Sequence, residues 1–384
     1  MTQSDEYADV RAMAAQVARE VYGPIAERLD VDRTPITKEQ RLQLGELGLL
    51  GIALPEQYGG SGAPLAQALA VIEEFGRVCR PAGFQIFEAN TGPAQVINHL
   101  GSPEQRERWL PDIVTGERTM AVGISEPDAG SAATDLRTTA KETDRGWVIN
   151  GSKRWISNGG EADQYLVYCR LNDAPGAKAI GAIVVDKGTP GFSFGASERL
   201  MGFRGIPSAD LYFDNVEVPL ENLVVPAGDF GKLFGVFSIE RLGNTTMSLA
   251  IGQEALDRTV AYVTEREQFG KPLIDFQSVQ LQLADMILAV DTARLLRDRA
   301  AATAGTGIPN TLEVSLAKCT ANEMAKRVTD LAIQLHGGNG YTEEYGIERL
   351  HRDAHGWAIA GGTPNMQRSR IVSEYVGRKF DQRK

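Results

Sequence analysis

One carboxylate in the C-terminal half of the chain has a sequence setting that suits a general base. Glu240 lies in the stretch 237–242 (FSIERL), within a segment whose apolar spacing predicts a long helix. Its neighbours three and four residues away are Val236, Phe237, Gly243 and Asn244. None of these is cationic, and Arg241 points about 100° away around a helix, so no ordinary intrahelical ion pair accounts for Glu240. Such a carboxylate faces solvent, pairs with a distant cation, or is kept for proton transfer.

Two motifs in the middle third of the chain combine turn residues with hydroxyl side chains. The first, 126–131 (EPDAGS), is an ordinary turn or a place where Ser125 and Ser131 meet the polar edge of a ligand. The second, 153–159 (KRWISNG), contains Trp155 and Ser157. Trp155 is a core residue, or it stacks on a planar conjugated ring while Ser157 forms a hydrogen bond to a ring heteroatom.

Two further motifs lie where long helices are predicted to end. In 266–273 (REQFGKPL), Arg266 either complements a helix dipole or, with Gln268 and Gln277, binds a pyrophosphate. In 334–341 (QLHGGNGY), the glycines form a helix C-cap and turn, or leave a bare backbone that lies flat against a dinucleotide.

The elements that must position these motifs fall into three blocks. Residues 1–118 show helical spacing, as in Leu65, Leu69 and Ile72, and Ser102-Pro103 is typical of a helix start. Residues 119–227 contain short β-rich runs separated by turns and no helices between them, which favours a small antiparallel barrel or sandwich. Residues 228–384 predict long helices over about 230–264, 280–295, 311–336 and 366–380, joined as an up-and-down four-helix bundle. The predicted fold class is α+β.

The composition of the chain narrows the classes of function. The 384 residues are 42% hydrophobic and 23% charged, which is ordinary for a globular protein of two or three domains. The net charge of −10 argues against nucleic acid or an anionic membrane as the main partner. Three scattered cysteines predict neither a disulfide framework nor a metal site. The polar, acidic start and the lack of a long apolar run predict a cytoplasmic protein with no membrane span.

The order and spacing of four motifs resemble those of the acyl-CoA dehydrogenase family over most of the chain. The motifs are GISEPDAGS, KRWISNGG, REQFGKPLIDFQSVQ and QLHGGNGYTEEYGIERLHRD. The resemblance implies a helical domain, a β domain and a helix bundle with FAD bound between them. It also implies an acyl-CoA substrate, an electron-transfer flavoprotein as electron acceptor, and a homo-oligomer, usually a tetramer, in which the adenosine end of FAD meets a neighbouring subunit.

The resemblance also implies roles for individual residues. Ser125, Trp155 and Ser157 would face the isoalloxazine, and Thr363 and Asn365 would lie near the cofactor, although the family usually has Glu or Gln at position 365. Ser131 would lie near the acyl-CoA. The pyrophosphate and adenosine would be held by Arg266, Gln268, Phe269, Gln277, Gln334, Gly337 and Gly338.

Gly361 occupies the position at which many family members carry the catalytic glutamate. Glycine still offers a backbone N–H for a developing enolate oxygen, but it offers no carboxylate. The pair Glu240-Arg241, followed 26 residues later by Arg266, resembles the isovaleryl-CoA and long-chain branches of the family. Because those branches place the base on this helix and a small residue at the other position, we predict that Glu240 removes the α proton of the thioester substrate.

Three residues bear on the substrate. Ala360 stands where the family often has an aromatic residue, and the lost volume leaves room for a branched or bulky acyl group as a hypothesis. Glu88 either lines the far end of the acyl pocket or is a carboxylate on a helix surface. Arg241, beside the proposed base, is a further candidate for substrate binding.

Other readings of the same fold stay open at this point. Relatives without the usual glutamate include thioester desulfinases and flavin monooxygenases, in which no α-proton base need act. The substrate could be carried by an acyl carrier protein instead of CoA. The chain could also be a non-catalytic FAD-binding partner subunit, although the intact cofactor motifs argue against loss of FAD.

Overall fold

The computed structural model describes residues 7–380, and its first block is helical as predicted. The helices are α1 (Ala8–Val17), α2 (Gly23–Asp32), α3 (Lys38–Glu46), α4 (Leu65–Val78), α5 (Arg80–Thr91), α6 (Pro93–Leu100) and α7 (Pro103–Thr115), with a π-helical turn at Ala18–Tyr22. The predicted start at Ser102 is confirmed by a capping box. Ser102 Oγ accepts from Gln105 N at 3.2 Å, and Gln105 Oε1 accepts from Ser102 N at 2.9 Å. Pro64 lies directly before α4, at its N-cap.

The middle block is a β domain whose strands form one hydrogen-bonded sheet of eight strands. The strands are β1 (Met120–Gly123), β2 (Thr139–Thr143), β3 (Gly146–Ser157), β4 (Gln164–Arg170), β5 (Ile180–Asp186), β6 (Phe192–Phe194), β7 (Ser208–Val218) and β8 (Leu223–Val225). The order is β6-β7-β3-β2-β4-β5-β8, with β1 paired to β4. Most strand pairs are antiparallel as predicted, but β1 runs parallel to β4, and β2 also meets β4 in a parallel pairing at Thr139 and Arg170. The chain can pair β1 with β4 because β2 and β3 intervene and supply a long connection.

The two faces of β4 pack against different partners. Tyr165 and Val167 belong to a core inside the β domain, where Phe192 stacks on Phe213 at 4.8 Å between ring centroids. Leu166 and Tyr168 point to the opposite face and join the large core shared with the helices. Tyr168 is fully buried there. The alternation along one strand therefore carries Tyr168 towards the C-terminal bundle.

The C-terminal block is the predicted helix bundle. It contains α8 (Phe230–Glu265), α9 (Gln277–Ala302), α10 (Thr311–His336), α11 (Gly338–Tyr341), α12 (Ile347–Ile359) and α13 (Pro364–Tyr375), with a hairpin of β9 (Glu267–Gln268) and β10 (Lys271–Pro272) between α8 and α9. The three long predicted helices are confirmed. The fourth ends at Tyr375 instead of Phe380, because Gly377 follows in a left-handed conformation at φ +65°. Helix α12 was not predicted.

Three further properties concern the described part of the chain. Between residues 7 and 380, no helix combines the length and apolar character needed to cross a bilayer. In the same range, no group of three or more His, Cys, Asp or Glu residues is placed to hold a metal ion. Cys79, Cys169 and Cys319 are all buried free thiols.

Candidate active site

Glu240 lies in the first third of α8, at a point surrounded by buried residues. Its carboxyl group forms no ion pair or hydrogen bond within the part of the chain that the structure describes, and the side chain is partly buried. Burial raises the pKa of Glu240 to about 8, although the nearby cations of Arg241 and Lys318 oppose the shift. Glu240 therefore has no ion-pair partner among the described residues and a raised pKa, and its role as a base stays a prediction.

Glu88, on α5, is electrostatically coupled to Glu240. Burial, and then the Glu240 carboxylate, raise the pKa of Glu88 well above its usual range. Glu88 lines a small, nearly filled cleft between the N-terminal helices and the start of β1. Leu50, Ala89 and Met120 share this cleft. Glu88 is partly buried at this cleft, and its contact with an acyl chain stays a prediction.

Gly361 and Gly362 form a turn between α12 and α13 in which both residues have left-handed backbones, at φ +68° and +94°. Each of the three carbonyl oxygens from 360 to 362 accepts a hydrogen bond from a side chain. Asn244 Nδ2 donates to Ala360 O at 3.3 Å, and Arg241 Nε donates to Gly361 O at 3.2 Å. Lys318 Nζ donates to Gly362 O at 3.0 Å.

A side chain at position 361 would meet steric resistance. A Cβ there would lie 3.3 Å from Lys318 Cε, in a backbone conformation that L-residues rarely adopt. The turn is therefore built around the absence of a side chain.

Arg241, on α8, stabilises this turn through its hydrogen bond to Gly361 O. It is 4% exposed, and its guanidinium carbon lies 4.7 Å from the ring centroid of Phe237. Burial and the neighbouring Arg370 lower the pKa of Arg241 to about 9. Its Nη1 is buried and has no hydrogen-bond partner within residues 7–380. The contact that the structure gives Arg241 is to backbone, so its predicted contact with substrate stays a prediction.

The residues predicted to face a flavin meet at one edge of the β domain. Arg154 N donates to Ser125 O at 2.8 Å, which places Ser125 beside the β3 bulge that carries Trp155. Trp155 has φ +62° and is 52% exposed, so the core reading of this tryptophan is wrong. The Arg154 guanidinium lies 4.4 Å from its ring centroid. Ser157 ends β3, opposite Ser208.

A buried ion pair, which the sequence did not reveal, ties the two β-domain motifs together. Glu126 accepts hydrogen bonds from Lys153 Nζ at 2.8 Å, Arg137 N at 2.6 Å and Thr138 N at 2.9 Å. Although burial opposes the change, these partners lower the pKa of Glu126. Lys153 is fully buried. The pair fixes the turn that starts at Glu126 against the strand that carries Trp155, whereas Ser131 in the same loop is exposed.

Thr363 and Asn365 follow the glycine turn directly. Thr363 Oγ1 caps α13 by accepting from Met366 N at 3.4 Å. Asn365 Oδ1 accepts from Arg368 Nη1 at 3.0 Å. The structure thus places both residues next to Gly361, and it engages both side-chain oxygens in local hydrogen bonds.

The residues predicted to hold pyrophosphate and adenosine lie at the other end of the bundle. Tyr262 brings their two segments together, because it stacks on His336 at 4.3 Å and donates to His336 O at 3.3 Å. The residues predicted to hold pyrophosphate and adenosine are all exposed, and Phe269 is 95% exposed. The members of this exposed group are Arg266, Gln268, Phe269, Gln277, Gln334, Gly337 and Gly338.

The exposed group lies far from Glu240 along α8. Arg266 follows Glu240 by 26 residues on α8 and its C-cap, which corresponds to about 39 Å at the helical rise. The structure therefore divides the predicted cofactor residues into two separate sets.

The comparisons with known proteins agree with this architecture. The N-terminal, middle and C-terminal domain profiles of acyl-CoA dehydrogenases match residues 4–117, 121–216 and 233–375. The chain belongs to the acyl-CoA dehydrogenase family. This membership makes it a flavoprotein oxidoreductase with FAD as cofactor.

Individual relatives catalyse different reactions at similar levels of identity. The acryloyl-CoA reductase (NADH) of Anaerotignum propionicum is 36% identical, with 96% of this chain and 94% of the relative aligned. A 3-sulfinopropanoyl-CoA desulfinase of Paraburkholderia xenovorans is 34% identical, with 99% and 98% aligned. The butyryl-CoA dehydrogenase structure from Megasphaera elsdenii superimposes with a TM-score of 0.92 at 33% identity, covering 96% of this chain and 98% of that chain. Overall sequence similarity therefore does not identify the reaction of this chain, and the reaction must be inferred from the residues of the site.

The residues present fit FAD. Trp155 is a large aromatic held open to solvent at positive φ, and the backbone places Ser125 and Ser157 close to it along the strand edge. Such an exposed indole with adjacent hydrogen-bonding groups suits a planar heteroaromatic ring. Trp155, Ser125 and Ser157 would hold the isoalloxazine.

Proposed function

We propose that this chain catalyses FAD-dependent α,β-dehydrogenation of an acyl-CoA thioester, with Glu240 as the base. The observation that carries the proposal is the unpaired Glu240 carboxyl with its pKa raised to about 8, together with a glycine turn that cannot readily hold a side chain. A general base works best when its pKa lies near the operating pH. Glu240 would accept the proton from the carbon α to the thioester.

The glycine turn would serve the same step from the opposite side. As the α proton leaves, negative charge develops on the thioester oxygen and needs hydrogen-bond donors. The Gly361 N–H is a backbone donor whose direction the neighbouring carbonyl contacts constrain. Bound FAD supplies the hydride acceptor, at flavin N5, for the β carbon. The base would thus come from α8 and the donor from the turn between α12 and α13.

The small side chain at position 360 supports a branched or otherwise bulky acyl group. Ala360 would leave space where a larger side chain would stand, while Asn244 and Lys318 hold the backbone in place. Glu88 would line the acyl cleft, where burial and the Glu240 carboxylate raise its pKa well above the usual range. A panel of branched and straight acyl-CoAs tests this, and a clear preference for short unbranched chains would contradict it.

The test of the proposed function is anaerobic bleaching of bound flavin by that panel. Glu240→Gln should retain FAD and lower the rate of flavin reduction by at least about 100-fold, since general base catalysis contributes this much or more. Glu323→Gln, in a partly exposed pair with Lys326 on α10, is the matched control and should behave as wild type. Full turnover by Glu240→Gln with FAD bound would contradict the assignment.

A second candidate is desulfination or another flavin reaction without an α-proton base. The observation in its favour is Gly361, and one relative is a desulfinase. The two candidates differ in outcome, because only dehydrogenation leaves the flavin reduced when oxygen is absent. If acyl-CoA fails but an acyl carrier protein thioester bleaches the flavin, the carrier is the substrate. A protein purified without any flavin would favour a non-catalytic partner subunit.

We also propose that the active form is a homo-oligomer, with a tetramer as the family expectation, and that an electron-transfer flavoprotein reoxidises it. The separation of about 39 Å between Glu240 and Arg266 supports the first part. It means that the exposed group around Arg266 would serve the FAD of a neighbouring copy. Light scattering of the FAD-loaded protein measures the assembly, and a monomer with full FAD content would overturn it.

A further inference from the structure

A buried polar cluster lies between α8 and α10, behind the glycine turn. Lys318 Nζ donates to Asn322 Oδ1 at 2.8 Å as well as to Gly362 O at 3.0 Å. Asn322 Nδ2 donates to Asn244 Oδ1 at 3.1 Å and to Ser248 Oγ at 2.7 Å. Lys318 and Asn322 are 0% exposed, and Asn244 is 3% exposed. The cluster is therefore closed to solvent and connected hydrogen bond by hydrogen bond to the turn.

Lys318 is unusual for a buried lysine because it has no carboxylate partner. Within residues 7–380 it forms no ion pair, whereas the other fully buried lysine, Lys153, pairs with Glu126. Burial, and then Arg241, lower the pKa of Lys318 to about 7. A neutral amine has two N–H groups, and the structure provides two acceptors, Asn322 Oδ1 and Gly362 O. An apolar residue would avoid the cost of burying this amine, so its retention calls for a role beyond packing.

The geometry of the peptide group shows what the cluster controls. In a planar trans peptide, the C=O of one residue and the N–H of the next point in opposite directions. The bond from Asn244 to Ala360 O therefore fixes the direction of the Gly361 N–H. Asn244 is held by Asn322, and Asn322 is held by Lys318. Lys318 also holds the far end of the turn through Gly362 O.

We propose that Lys318 is a positioning residue which, through Asn322 and Asn244, aims the Gly361 N–H at the carbonyl oxygen of the substrate thioester. This inference rests on the proposed function, because it assigns the donor that the enolate oxygen needs. Two glycines at positive φ do not fix a turn by themselves. The side chains of α8 and α10 supply the missing constraint.

The test compares Lys318→Met with Lys326→Met, a control on the same helix whose lysine is in a partly exposed pair with Glu323. Both proteins are studied with FAD bound. The first readout is the anaerobic rate of flavin reduction by acyl-CoA. The second readout is the infrared stretching frequency of the thioester carbonyl in a bound acyl-CoA analogue. The analogue carries an isotope label at this carbonyl, keeps the thioester, and contains a thioether that makes it non-reactive.

We expect Lys318→Met to reduce its flavin about 10- to 100-fold more slowly, with the analogue's dissociation constant changed less than about threefold. The carbonyl stretch should move towards its value in water, because the donor is no longer aimed. A reduction rate within twofold of wild type, or an unchanged carbonyl stretch despite slower reduction, would overturn the role of Lys318.

Two further outcomes are decided in the same experiment. If Lys318→Met does not fold, Asn322→Ser removes the link between Lys318 and Asn244, and an unchanged carbonyl stretch in that variant would overturn the inference. If no acyl-CoA bleaches the wild-type flavin, the proposed function fails. The carbonyl stretch of the bound analogue then still decides whether Lys318 orients the turn.

Discussion

One continuous helix, α8, carries two predicted functional regions with opposite surroundings. Around Glu240, the residues from 236 to 252 are buried with the single exception of the partly buried Glu240 itself. From 264 to 271, at and beyond the other end, every residue is exposed. The buried residues around Glu240 therefore form a low-dielectric environment within one chain, and this environment raises the pKa of Glu240. The exposed residues 264–271 have no such environment within one chain. Their proposed function depends on a neighbouring copy of the chain that covers them.

The largest expected effect is a pH dependence of flavin reduction that comes from the region around Glu240 and not from the region around Arg266. Because the pKa of Glu240 is raised to about 8, the fraction of carboxylate grows with pH. We expect the rate of flavin reduction by acyl-CoA to rise about tenfold per pH unit from pH 6 and to level off above pH 8. The dissociation constant of FAD should stay nearly constant over this range. Stopped-flow absorbance measures the rate, and Glu240→Gln should lose the rising limb. A flat rate profile in wild type would place the base elsewhere.

The next effect concerns the exposed region. Arg266→Met should weaken FAD binding by about 10- to 100-fold, the range expected for a lost hydrogen bond to a charged group. Once FAD is saturating, the rate of flavin reduction should match wild type, because Arg266 lies far from Glu240 along α8. Arg145→Met, which removes an exposed ion pair with Glu217, is the control. Equilibrium dialysis measures the binding, and unchanged FAD affinity would remove Arg266 from the cofactor site.

The smallest effect compares two glycines, one from each region. Gly361 (φ +68°) and Gly270 (φ +80°) both adopt left-handed backbones, so alanine at either position should cost about 1 kcal/mol through the backbone. A Cβ at 361 meets Lys318 Cε at 3.3 Å, whereas a Cβ at 270 meets nothing within 4 Å. Thermal unfolding should therefore show a larger loss of stability for Gly361→Ala than for Gly270→Ala. Equal losses would mean that Lys318 moves aside freely.

The sequence predicted long periodic elements well and short polar ones poorly. Helices α8, α9 and α10 follow a clear apolar period over many turns. By contrast, β2 (Thr139–Thr143) contains a single buried residue, and the two three-residue strands β6 and β8 are too short for a pattern. Helix α12 has buried residues at Ile347, Leu350 and Ala354, yet no side chain caps its start. Its N-terminal signal was therefore missing.

The candidate site shows the same division. Glu240 could be found because its helical neighbours lack a cation, which is a local property. The side chains that hold the glycine turn could not be found from the sequence, because Lys318 and Gly362 are 44 residues apart in the chain. One signal was present: Val314, Ala317, Lys318 and Ala321 lie on one buried stripe of α10, so a lysine interrupts an apolar face. The ion pair between Glu126 and Lys153 likewise joins residues 27 apart, which no periodicity reveals.

The exposed end of α8 has a consequence for handling the protein. If the group around Arg266 completes the site of another copy, assembly and cofactor retention are linked by mass action. Dilution would then release FAD even though no residue near the flavin has changed. Activity per molecule would fall with decreasing protein concentration, and added FAD would restore it. A loss of colour in a dilute sample would report dissociation of subunits and not damage to the site around Glu240.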